Sequence, residues 1–226
     1  MERKILGLLL GGLLLLAAFP LSAFAEEGVS YRYYDEASQS WAEGTVSAEA
    51  ITSGSTAWGS NNWYVAKGEI EVNGRVNIQG TANLILADGC KLGVKGGIRL
   101  QAGNTLNIYA QNAGTGALSI QGAASNNAGI GGNNGENGGT LSIYGGVLNV
   151  AGGFDASGIG GGRDGNGGTI RIYDGTITVN GGDWGAGIGG GGGAGNGSGG
   201  TITILGGYVK AAGAAEIAPG SRSAEV

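Results

Sequence analysis

The sequence has no histidine and a single cysteine, Cys90. Without histidine, catalytic triads that use an imidazole base and zinc sites that use imidazole ligands are excluded. With one cysteine the chain forms no internal disulfide, so its stability depends on packing and on backbone hydrogen bonds. Cys90 follows the same alternation as Leu86 and Leu92 on either side, which predicts a small buried side chain.

Basic residues and prolines are also scarce. Twelve Lys and Arg residues against 17 Asp and Glu residues give a net charge of -5, and the basic residues are scattered along the chain. This distribution excludes a nucleic-acid-binding surface, which needs clustered cations to neutralise phosphates. Only two prolines accompany 53 glycines, and glycine does not recur strictly at every third position, so collagen is excluded as well.

The sequence has one long apolar run, at its start. The run extends from Ile5 to Ala18, follows a charged segment and precedes the small-residue pattern Ala23-Phe24-Ala25. This order predicts a signal peptide over residues 1–25, cleaved after Ala25. The run is shorter than the roughly 20 residues of a spanning helix, so we expect no integral membrane segment after cleavage. A lipid anchor would need a cysteine at the cleavage point. We therefore expect a secreted, extracellular protein, released or held non-covalently at the cell surface.

The glycines belong to an internal repeat. Ile130, Ile159, Ile188 and Ile217 lie 29 residues apart, and the first three stand in the sequence Gly-Ile-Gly-Gly. Each of these three is followed by a polar, glycine-rich loop, by Gly-Gly-Thr and by two short runs of alternating apolar residues. Such alternation over four or five residues predicts half-buried strands. Because no single repeat can bury its apolar face alone, the repeats are expected to stack.

In each repeat one set of alternating positions is apolar throughout, and it is expected to point inward. These positions are Leu141, Ile143, Leu148 and Val150; Ile170, Ile172, Ile177 and Val179; and Ile202, Ile204, Val209 and Ala211. Glycines between the runs provide corners at which the backbone can adopt positive φ. The sequence therefore predicts an all-β fold, a right-handed parallel β-helix (β-solenoid).

The segment before the repeats differs in composition. Residues 26–67 lack glycine corners and are rich in aromatic residues, namely Tyr31, Tyr33, Tyr34, Trp41, Trp58, Trp63 and Tyr64. An open solenoid end exposes its core and unpaired strand edges, so we predict an N-terminal cap over residues 26–67. The solenoid is predicted over residues 68–226, with 29-residue repeats from about residue 126. TLNIY at 105–109 matches TLSIY at 140–144, which places both on the same face of successive coils.

Three blocks of the sequence resemble a known group of proteins. LILADGCKL (84–92), NTLNIYAQ (104–111) and NNAGIGGNNGENGGTLSIYGGVLNVAGG (126–153) resemble glycine-rich repeats in large secreted or surface proteins of Gram-positive anaerobic bacteria. The resemblance covers roughly Trp63 to Gly220. A looser similarity is to carbohydrate-binding β-helix domains of cellulose-degrading clostridia, which look like polysaccharide lyases but act as binding modules with calcium. The resemblance implies a bacterial cell-surface β-helix and suggests glycan binding.

Acidic residues form no ladder along the repeats. Asp155 aligns with Trp184, and Asp183 aligns with Phe154, whereas polysaccharide-cleaving enzymes need clustered carboxylates. We therefore predict no catalytic residues and a protein that is not an enzyme. The alternative is a polysaccharide lyase-like or hydrolase-like site, in which Asp155 and Asp183 approach each other near Arg163 and Arg171.

Calcium is the one metal that the sequence leaves open. Side-chain oxygens recur in the polar loops at Asn133, Asn134, Glu136, Asn137, Asp164 and Asn166. GGRDGNGGT at 160–168 imitates a calcium-binding nonapeptide but lacks its fixed aspartate. Ordinary loop hydrogen bonding and Asx-turns account for the same residues. No cofactor is predicted, and calcium binding remains an alternative.

The best candidate binding surface is aromatic. Tyr109, Tyr144 and Tyr173 each follow the inward isoleucine of matching strands, and Phe154 and Trp184 occupy equivalent loops. Stacked strands are spaced by about 4.8 Å, close to the length of one sugar in a β-linked chain, so an aromatic row could stack on successive sugars. Like residues also stack along solenoid faces for stability alone.

These observations predict a secreted or cell-surface, non-catalytic β-helix that acts as a carbohydrate-binding or adhesin-type module and is a monomer. Its partner is a polysaccharide or a cell-surface glycan, bound by Tyr109, Tyr144, Tyr173, Trp184 and Phe154. Besides the enzyme, the remaining alternative is a passive structural stalk, a fragment of a larger surface protein.

Overall fold

The computed structural model describes residues 25–121, 123–193 and 197–217. These residues form twenty β-strands and no helix, which confirms the predicted all-β class. Within them there is accordingly no helix with the length and apolar character needed to cross a membrane. The predicted signal peptide, except for Ala25, lies outside the described residues.

The strands are short except for the first two. In chain order they are β1 (Ala25–Asp35), β2 (Ser40–Ala50), β3 (Ala57–Trp58), β4 (Asn62–Ala66), β5 (Glu69–Asn73), β6 (Val76–Ile78), β7 (Thr81–Leu86), β8 (Lys91–Lys95), β9 (Ile98–Arg99), β10 (Thr105–Ala110), β11 (Ala117–Gln121), β12 (Ile130–Gly131), β13 (Thr140–Ile143), β14 (Val147–Ala151), β15 (Ile159–Gly160), β16 (Gly168–Ile172), β17 (Thr176–Asn180), β18 (Ile188–Gly189), β19 (Gly200–Ile204) and β20 (Tyr208–Ala212).

The strands form three predominantly parallel sheets. Sheet A has the order β1-β2-β4-β7-β10-β13-β16-β19, sheet B has β18-β15-β12-β9-β6-β3, and sheet C has β20-β17-β14-β11-β8-β5. From β3 onward the chain enters sheets B, A and C in turn, so three successive strands form one unit and β3–β20 form six units. A bridge between Ile188 and Ile217 adds one further position to sheet B.

The strand register follows the sequence repeat. Ile130 pairs with Ile159 and Ile159 with Ile188, so residues 29 positions apart lie side by side on neighbouring strands. TLNIY and TLSIY also lie on adjacent strands, because Thr105 pairs with Thr140 and Ile108 with Ile143. The apolar positions predicted to point inward are buried in units 4 and 5, and Cys90 is 1% exposed, as predicted.

Glycines in the Gly-Ile-Gly-Gly segments allow neighbouring units to approach closely. A Cβ at Gly131 would lie 1.9 Å from the carbonyl oxygen of Gly160, and a Cβ at Gly160 would lie 2.0 Å from that of Gly189. Gly160 also adopts a φ of +133°. The repeated glycines therefore serve backbone-to-backbone packing between units as well as positive φ.

The first two strands form an antiparallel hairpin, the N-terminal ribbon (residues 25–50). At its end, Glu49 and Ala50 of β2 pair with Tyr64 and Val65 of β4. A single pairing, between Arg32 and Ala110, joins β1 to β10. The strands β1, β2, β4, β7 and β10 thus form a closed ring of pairings. This closure is a departure from the open stack of strands expected of a solenoid, and it arises because the ribbon turns back over the outer face of sheet A.

The repeating units begin earlier than the predicted boundary at residue 67. Trp58 of β3 and Tyr64 of β4 are 0% and 4% exposed, and their rings stack with centroids 5.6 Å apart in the core of unit 1. The aromatic-rich segment over residues 26–67 therefore contains two different structures: the ribbon and the first two strands of unit 1.

Candidate functional site

The predicted tyrosine row exists as a stack of rings on the outer face of sheet A. The ring centroids of Tyr109 and Tyr144 are 4.7 Å apart with an interplanar angle of 3°, and those of Tyr144 and Tyr173 are 4.6 Å apart at 2°. Trp63 of unit 1 stacks on Tyr109 with centroids 5.1 Å apart. The spacing is that of parallel strands, which places like residues at regular intervals along a sheet face.

The N-terminal ribbon covers this row. Tyr31 packs edge-on against Tyr109 with a centroid distance of 5.0 Å, and Tyr34 stacks on Tyr173 at 5.6 Å. Tyr109 and Tyr173 are consequently only 8% and 6% exposed. The parallel rings of Tyr109, Tyr144 and Tyr173 also stack face to face, so each ring covers a face of its neighbour. Contrary to the expectation from the sequence, the row offers no free ring faces on which a sugar could stack.

Burial makes the covered tyrosines harder to ionise. Removal from water raises the pKa of Tyr109 well above its ordinary value, and the neighbouring phenols add to the rise. The pKa of Tyr173 is raised by the same loss of solvation and by its hydrogen bond to Glu36. The hydroxyl of Tyr173 donates a hydrogen bond to Oε1 of Glu36.

The local sequence of β1 contains a signal for the ribbon. Val29, Tyr31 and Tyr33 alternate along β1, which is the pattern of a strand with one apolar face. Tyr31 pairs with Gly44 on β2, and a Cβ at Gly44 would lie 2.6 Å from the Tyr31 ring. An aromatic ring lying over a cross-strand glycine is a known way of fixing strand register. The alternation predicts a covered face, but not which surface covers it.

Phe154 and Trp184 form the exposed part of the predicted aromatic set. They are 52% and 64% exposed, and they lie in loops of successive units between sheets C and B. The backbone N–H of Trp184 donates to the carbonyl oxygen of Phe154 at 3.3 Å, so the two loops stack directly. We call Phe154, Trp184 and the adjacent polar residues Asp155, Arg163 and Asp183 the aromatic loop surface.

Only part of the alternative catalytic set comes together. Nη1 of Arg163 lies 3.7 Å from Oδ2 of Asp155, and the Arg163 backbone donates to the carbonyl of Asn126. Arg171 is not part of this group, because it lies on β16 of sheet A and acts electrostatically on Tyr144 and Tyr173. The lyase-like arrangement that would use both arginines is therefore not formed.

Three of the polar loop side chains considered for calcium, those of Glu136, Asn137 and Asn166, have partners within the protein, whereas the buried Oδ1 of Asn133 has no hydrogen-bond partner among the described residues. Arg99 donates to both carboxylate oxygens of Glu136, and this contact lowers the pKa of Glu136. Oδ1 of Asn137 accepts from the N–H of Asn166, and Oδ1 of Asn166 accepts from the N–H of Ser198, both at 2.8 Å. Over the described ranges no three His, Cys, Asp or Glu residues are grouped closely enough to hold a metal ion.

Comparison of the chain with protein-family models, with curated proteins and with solved structures gives no significant match.

Proposed function

We propose that the protein is a secreted or cell-surface, non-catalytic right-handed parallel β-helix that binds polysaccharide through its aromatic loop surface. The β-helix description is supported by the order in which the chain enters sheets B, A and C through six units. In this account the N-terminal ribbon is the cap, and the closed ring of five strands is the way in which the cap attaches.

The main support for carbohydrate binding is the exposure of Phe154 and Trp184 on stacked loops. Aromatic rings bind sugars by stacking on the apolar faces of the pyranose ring, while flanking polar groups bind the hydroxyls. Successive units are about 4.8 Å apart, so the two rings meet successive sugars of a chain that runs along the stack. Asp155, Asp183 and Arg163 supply charged hydrogen-bonding groups beside the rings.

Retention on insoluble polysaccharides tests the proposal. The full chain is incubated with cellulose, xylan, mannan, chitin and pectin, and the bound fraction is measured for the native protein and for Phe154→Ala/Trp184→Ala. We expect retention on at least one polysaccharide and its loss in the double variant. Tyr208→Ala is the matched control, because Tyr208 is 61% exposed but lies on sheet C. Absence of retention on every polysaccharide, or undiminished retention by the double variant, contradicts the proposal.

The enzyme alternative is favoured by one observation, the contact between Asp155 and Arg163. It predicts release of reducing or unsaturated sugars, and Asp155→Ala would abolish that release. Binding without product release supports the non-catalytic proposal. If neither binding nor product release is detected, the passive stalk is favoured. Fractionation of the source cells, with sequencing of the mature N-terminus, tests secretion and predicts a chain that starts at Glu26.

A further inference from the structure

A recess lies on the outer face of sheet C, away from the aromatic loop surface. It has a volume of about 540 Å³ and is centred on Gly93 in the middle of β8. Lys91 and Lys95 flank Gly93 on the same strand, and Ala117 and Ser119 lie beside it on β11. The recess exists because Gly93, Ala117 and Ser119, which lie at neighbouring outward positions of the two strands, are small.

The fold does not require glycine at position 93. Among the described strand glycines, Gly93 is the one that combines an ordinary, non-positive φ with room for a side chain. A Cβ at this position would lie 3.5 Å from Cγ of Glu71 and 3.8 Å from the carbonyl oxygen of Ile70, which are ordinary contacts. Glycine inside a strand weakens the strand, and it often marks a bulge, a tight bend or a place that a ligand approaches closely. β8 pairs in unbroken register with β5 and β11, so a bulge does not account for Gly93.

Charged groups of both signs form the rim of the recess. Lys91 lies 3.7 Å from Glu69, and Lys95 forms an ion pair with Glu71. All four side chains are at least half exposed, so these pairs are weak and can reorganise around a ligand. Ammonium groups donate hydrogen bonds and carboxylates accept them, and a sugar hydroxyl can do both. The balanced rim therefore suits a neutral, hydroxyl-rich ligand, whereas a polyanion would meet the two glutamates.

We propose that the recess over Gly93 binds a short neutral oligosaccharide, whose hydroxyls bind the Lys91, Lys95, Glu69 and Glu71 side chains while one sugar ring lies over Gly93. This site is independent of the aromatic loop surface. Gly93 is a specificity-determining residue here, because any larger side chain would fill the space that the sugar needs.

Calorimetric titration of the full chain tests this site. The probes are short gluco-, xylo- and manno-oligosaccharides, with oligogalacturonides as the acidic arm. We expect a neutral oligosaccharide to bind and Gly93→Val to weaken that binding by at least about tenfold, because the valine clashes with the ligand. The same substitution is expected to leave the unfolding midpoint unchanged or raised, since valine favours strands. Thr178→Val is the matched control, in the equivalent outward position of β17, and should bind as the native protein does.

Each contrary result overturns the proposal. Absence of binding by all neutral probes, tighter binding of the acidic probe, or native affinity in Gly93→Val contradicts the assigned ligand or site. Unfolding of Gly93→Val shows instead that the glycine is structural. Phe154→Ala/Trp184→Ala should retain this binding, so failure of the aromatic loop surface and failure of the Gly93 recess are distinguishable.

Discussion

The hydroxyl of Tyr173 donates a 2.5 Å hydrogen bond to Oε1 of Glu36, which lies 137 residues earlier in the chain. This contact joins the tip of the N-terminal ribbon to unit 5. Together with the stacking of Tyr34 on Tyr173, it fastens the far end of the ribbon over the tyrosine row.

Removing this hydrogen bond should loosen the ribbon without unfolding the units. Tyr173→Phe keeps the ring stack and removes the donor, while Glu36 is exposed and can hydrogen-bond to water instead. We expect the free energy of unfolding to fall by about 1 kcal/mol. The substitution should also increase the rate of hydrogen exchange more in β1 and β2 than in β16. Tyr208→Phe, a change of the same kind on an exposed ring, should alter neither measurement.

The covered tyrosines should make the protein sensitive to alkali. The folded-state pKa of Tyr109 is raised above the ordinary value of 10.0, so the neutral phenol stabilises the fold fully below about pH 10. Above that pH the unfolded chain loses this proton while the folded chain keeps it. Stability should then fall by about 1.4 kcal/mol per pH unit for each such tyrosine, until the pH reaches the folded-state pKa.

Urea unfolding between about pH 9 and pH 11 measures this dependence. The slope of stability against pH above 10 should be smaller in Tyr109→Phe than in the native protein. Equal slopes in the two proteins would show that Tyr109 ionises as readily in the folded chain as in the unfolded one.

Gly160 and Gly93 should respond differently to substitution by alanine, because only Gly160 packs closely against the backbone of a neighbouring unit. Gly160→Ala places a Cβ 2.0 Å from a backbone oxygen at a φ of +133°, and we expect it to cost about 3 kcal/mol of stability. Gly93→Ala meets only ordinary contacts and should be neutral or stabilising. Thermal unfolding of both variants provides the comparison. Similar losses in the two would mean that contact distance between units does not determine where glycine is required.

Acid should weaken the contact between the loop of unit 4 and β9. The hydrogen bond from Arg99 lowers the pKa of Glu136 below its ordinary value of 4.5, so this contact stabilises the fold above that pH. Stability should be lost as the pH falls through the folded-state pKa. In Glu136→Gln the acid-induced loss should be smaller than in the native protein. Equal acid-induced losses in the two proteins would contradict this account of the contact.

The sequence predicts the repeating units well because their determinants are local. Ile170 and Ile172 alternate within one strand, and Ile130, Ile159 and Ile188 recur at a constant interval. The period therefore predicts both the strands and the residues that pair between them. The recurrence of the strand pattern also places Tyr109, Tyr144 and Tyr173 correctly in one row.

The ribbon could not be placed in this way because its contacts follow no period. Tyr34 and Glu36 meet Tyr173 through the folding back of a hairpin, and nothing near them in the sequence specifies that partner. Once the ribbon covers the row, the exposed part of the predicted aromatic set is reduced to Phe154 and Trp184 on the loops. Gly93 was missed for a different reason: among 53 glycines, only the structure distinguishes one that packing does not require.

The central claim is that the exposed aromatic loops, and not the covered tyrosine row, contact polysaccharide. An adsorption isotherm on the insoluble polysaccharide that retains the native chain tests it directly, by comparing Trp184→Ala with Tyr144→Phe. The account predicts that Trp184→Ala lowers the affinity by roughly tenfold or more, as expected for loss of a binding aromatic residue, and that Tyr144→Phe binds as the native protein does. Native affinity in Trp184→Ala, or weakened binding in Tyr144→Phe, would contradict it.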